Sequence, residues 1–330
     1  MGDPMGAIRD FMATNYRHFN ARETVDAARA YEAHLEAGGK MLVSLAGAMS
    51  TGELGISLAR MIREGKVHAI SCTGANLEED VFNLLGHDEY EVIQDWRALS
   101  AADEVALYDR GMNRVTDTCI PEDIMRHLEA RLIQRWQAAC EAGERKFPFE
   151  YLYEILRSGE LDEHYQADPH NSWLLAALEA DIPVYSPGWE DSTTGNMFAA
   201  NVLTGVVPHH QCCKTGTEQF AHLIEWYLAN NNDGTGAPSV GFFQIGGGIA
   251  GDFAICAVPS IIQDMEQPDT PFWGYFCQIT DADVSFGGYS GAVPNEKITW
   301  GKLAEDTPKF MVKSDASIVA PLIFAWVLGD

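Results

Sequence analysis

Six short runs rich in β-branched, aromatic or other apolar residues constrain this chain most. They read KMLVSLAGA from Lys40, VHAISCTGA from Val67, IPVYSPG from Ile182, SVGFFQIGGG from Ser239, WGYFCQIT from Trp273 and KFMVKSDAS from Lys309. A strand that is apolar at nearly every position is buried on both faces, as in a parallel sheet covered by helices. Stretches with helical spacing, such as EDIMRHLEARLIQRWQAACEAGE and TGTEQFAHLIEWYLANNN, lie between most of the runs. The expected class is therefore α/β, with a mostly parallel sheet and helices on both faces. No internal repeat or low-complexity linker divides the 330 residues, and NNNDGTGAP (230–238) reads as a helix-to-strand turn. One domain over residues 1–330 is expected, with 1–39 as a helical segment packed on it.

Open α/β sheets bind ligands beyond the carboxyl ends of their strands. Each run here finishes in groups suited to that: Ser50 and Thr51, Thr73 and Gly74, Ser186, Gly246 to Gly248, Thr280 and Asp281, and Asp315. A single polar residue at a strand end is ordinary turn chemistry; six such ends together point to a site. GGGIAGD fits G-x-G-x-x-G at Gly246, Gly248 and Gly251, where a phosphate or ring can approach the backbone closely. A glycine-rich turn between strand and helix accounts for it equally well. In TGANLEEDVFNLL, Glu78, Glu79 and Asp80 open a helix, where carboxylates cap amides or hold ribose hydroxyls. Asp191 in SPGWEDSTTGNM stands at a similar loop-to-helix junction.

The formal charge of −26 speaks against nucleic acid and anionic membrane as partners, because both require a cationic surface. An acidic field concentrates small cations instead. No apolar run approaches the roughly 20 residues that span a bilayer, and the first residues lack the n- and h-regions of a signal peptide. Seven cysteines without framework spacing suit a reducing compartment, so a cytoplasmic protein is expected. Cys212 and Cys213, after His209 and His210, read as buried thiols rather than metal ligands, since neighbouring residues point apart. No metal is expected.

The segment VPNEKITWGKL sets Lys302 after Trp300 and Gly301, six residues beyond Glu296. An indole offers a cation–π face to an amine, a partly buried lysine can supply a neutral amine for Schiff-base chemistry, and a carboxylate can hold a cationic substrate. From spacing alone, a surface lysine on a short turn remains the plainer reading.

PNEKITWGK, followed thirteen positions after its lysine by the aspartate of SDASIVAPLI, resembles the deoxyhypusine synthase family. So do TGANLEEDVFNLL, VYSPGWEDSTTGNM and the glycine triplet, in one order from about Lys40 to the C-terminus. The resemblance implies a Rossmann-like, doubly wound fold, a homotetramer, NAD as cofactor and polyamines as partners. It implies oxidation of spermidine, transfer of its aminobutyl group to an enzyme lysine as an imine, delivery to an acceptor amine, and reduction. By resemblance Lys302 is the imine-forming lysine, Trp300 walls the amine channel and Glu296 grips an ammonium. Ser50, Thr51, Thr73, Gly74, Glu79, Asp191, Gly246, Gly247, Gly248, Asp281, Ala282 and Asp315 would contact NAD. The chain departs from the family at three substrate positions: Asp252 replaces a histidine, and Asn196 and Tyr289 replace acids. That pattern favours transfer between small amines, of the homospermidine type, over modification of a protein lysine. A catalytically silent NAD-binding relative is the reading from another class.

Overall fold

The computed structural model describes residues 6–231, 236–284 and 287–330. Residues 232–235 of the turn expected over 230–238, and 1–5 of the N-terminal segment, lie outside them. The strands are β1 (Met41–Leu45), β2 (Ala69–Cys72), β3 (Glu91–Val92), β4 (Met112–Val115), β5 (Thr118–Pro121), β6 (Val184–Tyr185), β7 (Gly241–Ile245), β8 (Tyr275–Thr280) and β9 (Lys309–Lys313). Six of them form one parallel sheet in the order β6-β2-β1-β7-β8-β9, and each of these six comes from one of the apolar runs. Counted within the sheet, that is the 3-2-1-4-5-6 order of a doubly wound fold.

Alternation along each strand feeds two cores. Val43, Phe243 and Cys277 point into one, and Leu42, Phe242 and Phe276 into the other. The first is the larger and includes helices Gly55–Arg63 and Gly74–Gly86. The second is closed by helices Gly216–Ala229 and Gly248–Ile255. On the N-terminal side, helix Phe19–Glu36 lays Tyr31 edge-on against Phe243 and Tyr275, with ring centroids 5.5 and 5.7 Å away. A separate antiparallel sheet, β3-β5-β4, has strands too short and too polar for hydrophobic periodicity to reveal.

Chain direction across the sheet reverses between β1 and β7, and the two strand ends meet there. A Cβ on Gly246, whose φ is +76°, would come within 2.8 Å of Ala46 Cβ. Glycine is thus required twice over, by left-handed backbone and by contact. One residue before these ends runs a buried polar row in register, Ser71, Ser44, Gln244 and Gln278. In strands otherwise apolar, Ser71, Gln244 and Gln278 of that row spend their side chains on hydrogen bonds just below the carboxyl edge of the sheet, while the Ser44 hydroxyl is buried without a partner among the described residues.

Candidate active site

Gln244 and Gln278 tie that row to the loops above it. Each donates its amide to the Gly246 carbonyl, at 3.0 and 3.3 Å, and Gln278 also donates to Ser290 O at 2.8 Å. Tyr289 donates its hydroxyl to Gln244 Oε1 at 2.7 Å, and Gly248 N donates to Ser290 Oγ at 3.2 Å. These bonds hold the glycine-rich loop before Lys302 against the glycine triplet, apart from 285–286, which lie outside the described residues.

Beside that loop opens a cleft of about 640 Å³ lined by Asp252, Tyr289, Glu296, Lys297, Trp300 and Lys302, among others. Its lysine is aimed by the backbone. The short helix Glu296–Thr299 ends, Gly301 turns in the left-handed region at φ +68°, and Lys302 N donates to Lys297 O at 3.0 Å. The Lys302 side chain, 8% exposed, then reaches back to place Nζ 2.8 Å from Asp252 Oδ1. Asp252 lies within helix Gly248–Ile255 and is not its N-cap. The Tyr289 ring centroid is 5.4 Å from Lys302 Nζ and that of Trp300 is 5.9 Å away, so both offer cation–π faces. Trp300 and Glu296 are exposed at the mouth.

Five of the six residues expected to handle the amine therefore share one cleft. Asn196 does not. It is exposed on helix Thr193–Leu203, where its amide donates to Glu190 O at 2.6 Å. Two participants were missed. Gln278 was signalled by the matching FFQI and FCQI strands, in which a buried glutamine recurs at one register position. Lys297 carried no sequence signal, because its neighbours Asn295, Glu296 and Thr299 are polar and exposed.

The residues expected to meet a dinucleotide lie beyond the strand ends, but several side chains are spoken for. Ser50 Oγ donates to Asn76 O at 2.7 Å and accepts from Trp173 Nε1 at 2.9 Å. Thr73 caps helix Gly74–Gly86, and Gly74 is packed so tightly that a Cβ would meet Ser192 Cβ at 2.5 Å. Gly247 likewise abuts Ser290. Thr51 donates to Glu79, whose carboxyl burial pushes up to about 7 against the pull of that bond, with the charge of Glu78 adding. Glu78 and Asp80 cap helices other than their own. Glu78 accepts from the Thr193 and Thr194 amides at 2.8 and 2.7 Å, and Asp80 accepts from Leu174 N at 3.1 Å. Asp191, Asp281 and Asp315 are exposed; Asp315 caps helix Ala316–Leu328, and Ala282 N donates to Thr280 Oγ1 at 3.1 Å.

A dinucleotide fits what remains. Nothing lies within 4 Å of the position a Gly248 Cβ would take, at the exposed N-terminus of helix Gly248–Ile255, and exposed carboxylates follow β6, β8 and β9. Cys212 and Cys213 are buried, and no group of three or more such side chains is placed to hold a metal among the described residues. None of the described helices is long and apolar enough to cross a membrane.

A sequence model of the deoxyhypusine synthase family matches residues 10–327. A deoxyhypusine synthase-like protein of Thermosynechococcus vestitus is 31% identical over 295 residues, covering 87% of this chain and 69% of its own. A Methanosarcina acetivorans protein assigned as deoxyhypusine synthase 1 is 29% identical, covering 86% and 78% respectively. Among solved structures, an Entamoeba histolytica protein assigned as a deoxyhypusine synthase superposes with a TM-score of 0.58 at 11% identity. That superposition covers 97% of this chain and 91% of the other, and at such identity it speaks for the fold alone.

Proposed function

This chain belongs to the deoxyhypusine synthase family, and from that premise we propose that it is an NAD-dependent aminoalkyl transferase working through an imine on Lys302. The group moved is an aminobutyl or its like, the donor a di- or polyamine and the acceptor a small amine. One observation carries the reading: a nearly buried lysine whose Nζ meets a carboxylate inside a cleft walled by aromatic rings. Asp252 orients that amine, Trp300 and Tyr289 shield it from water, and Glu296 at the mouth is free to hold a distal ammonium. NAD, held beyond the strand ends beside the glycine triplet, would supply reversible hydride transfer at the donor carbon. The side chain at 289 supports small amines over a protein lysine, because Tyr289 supplies no carboxylate to the cleft for a long polyamine. The charge of −26 also suits cationic small molecules. A homotetramer is part of this proposal.

The deciding experiment incubates the protein with NAD and a panel of di- and polyamines, then identifies the products by mass spectrometry. A new secondary amine is the expected result. Modification of a protein lysine alone would make it a deoxyhypusine synthase, and NAD binding without turnover of any amine would make it a silent relative.

Two further results are expected. Exposed carboxylates at the strand ends disfavour the extra phosphate of NADP, so calorimetry should show NAD binding at least about tenfold tighter. Equal affinity would remove Asp191, Asp281 and Asp315 as ribose ligands. Asp252→Asn should lower kcat/KM for the preferred amine about tenfold or more, the effect of losing roughly 1.4 kcal/mol of charge-assisted hydrogen bonding. A fall carried by kcat assigns Asp252 to Lys302, whereas a rise confined to KM assigns it to the substrate. Unchanged amine kinetics would take Asp252 out of the site.

A further inference from the structure

The cleft holds a second lysine. Lys297 is 2% exposed and takes part in no ion pair among the described residues. Its nearest acceptors are Ala292 O at 3.4 Å and Gln278 Oε1 at 3.5 Å, both long for a charged donor. The rings of Phe276 and Tyr289 lie 4.9 Å from Nζ on either count. Burial draws this amine down to about 8, with the charge of Lys302 adding and those of Glu296 and Asp252 opposing. At neutral pH it is still mostly a cation.

Two ammonium groups and two carboxylates thus face one cleft, which is near neutral locally in a chain of charge −26. Asp252 is engaged by Lys302, so Glu296 is the acid left for a substrate. The Tyr289 ring, which would otherwise attract a substrate cation, already has both Lys297 and Lys302 within cation–π range. With Asp252 taken by Lys302 and Glu296 by one distal ammonium, a second distal charge on a bound amine would face Lys297 with no third carboxylate in the described lining, in surroundings where like charges repel strongly.

Resting on the transferase reading above, we propose that Lys297 is a built-in cation that sorts amines by charge. The cleft takes a diamine, whose one distal ammonium pairs with Glu296, and discriminates against triamines and longer polyamines. Lys297 is a specificity-determining residue on this account and forms no bond to substrate.

Calorimetric titration of the full-length protein with 1,4-diaminobutane and with spermidine, which share the aminobutyl end, tests this at physiological salt. Wild type is expected to bind the diamine at least about tenfold tighter, and Lys297→Met to bring the two within about threefold. Methionine keeps an unbranched stem in the buried slot. Lys297→Gln repeats the measurement if the methionine variant does not fold, and the wild-type ratio stands without any variant. Wild type that binds the triamine equally or better, a ratio unchanged by both substitutions, or no binding of either amine would each overturn the proposal. Binding is read without turnover, so a failure of the transferase reading shows separately, as no borohydride-trapped adduct on Lys302.

Discussion

Lys302→Arg should reduce amine transfer by at least about a thousandfold in kcat/KM, roughly 4 kcal/mol of lost transition-state stabilisation. Arginine keeps the positive charge and can still reach a carboxylate at position 252, so the fold and the cleft survive. What it cannot supply is a neutral nitrogen nucleophile, because the guanidinium stays protonated. Borohydride added to the turning-over wild type should trap a mass adduct on the peptide carrying Lys302, and the arginine variant should show none. The neighbouring Lys297, buried with its amine drawn down to about 8, makes the peptide map decisive. An adduct on Lys297, or normal transfer by Lys302→Arg, would reassign the nucleophile.

Replacing Glu79 by glutamine should stabilise the protein at neutral pH. Burial raises this carboxyl from an ordinary 4.5 to about 7, the Thr51 hydrogen bond offsetting part of the effect. The folded state then keeps a proton that the unfolded chain gives up. Stability contributed by the group is fully present below about pH 4.5 and falls as pH climbs to about 7. Above that it stays lower, by up to about 3 kcal/mol if the whole shift is realised. Glutamine imitates the protonated form. Melting curves of Glu79→Gln should therefore match wild type near pH 4.5 and exceed it from pH 7 upward. Asp80, raised to about 6 chiefly by burial, adds a slope of the same sign in both proteins and drops out of the comparison. A variant less stable than wild type at pH 8 would mean that ionised Glu79 is held by groups stronger than Thr51.

The amino-acid sequence by itself determined the six strands, their parallel pairing and the glycine turn at the ligand edge. Residues such as Leu42, Val43, Phe242 and Phe243 are apolar in succession because both faces of the sheet are covered, and that requirement is written locally. The WGK segment and its spacing to Asp315 were equally legible, since a resemblance needs only order and residue type. The antiparallel β3-β5-β4 sheet was not, because two- to four-residue strands leave too little alternation to detect.

Only the tertiary structure decided how charges are matched. Asp252 and Lys302 are 50 positions apart, and Glu78 caps a helix 115 positions away. Lys297 is buried by Phe276 and Tyr289, which come from other elements, while its own tetrapeptide looks like an exposed turn. Hydrophobic burial is repeated along a strand and leaves a period in the sequence. An ion pair or a buried cation depends on single side chains brought together by folding, and at such separations no local pattern records them.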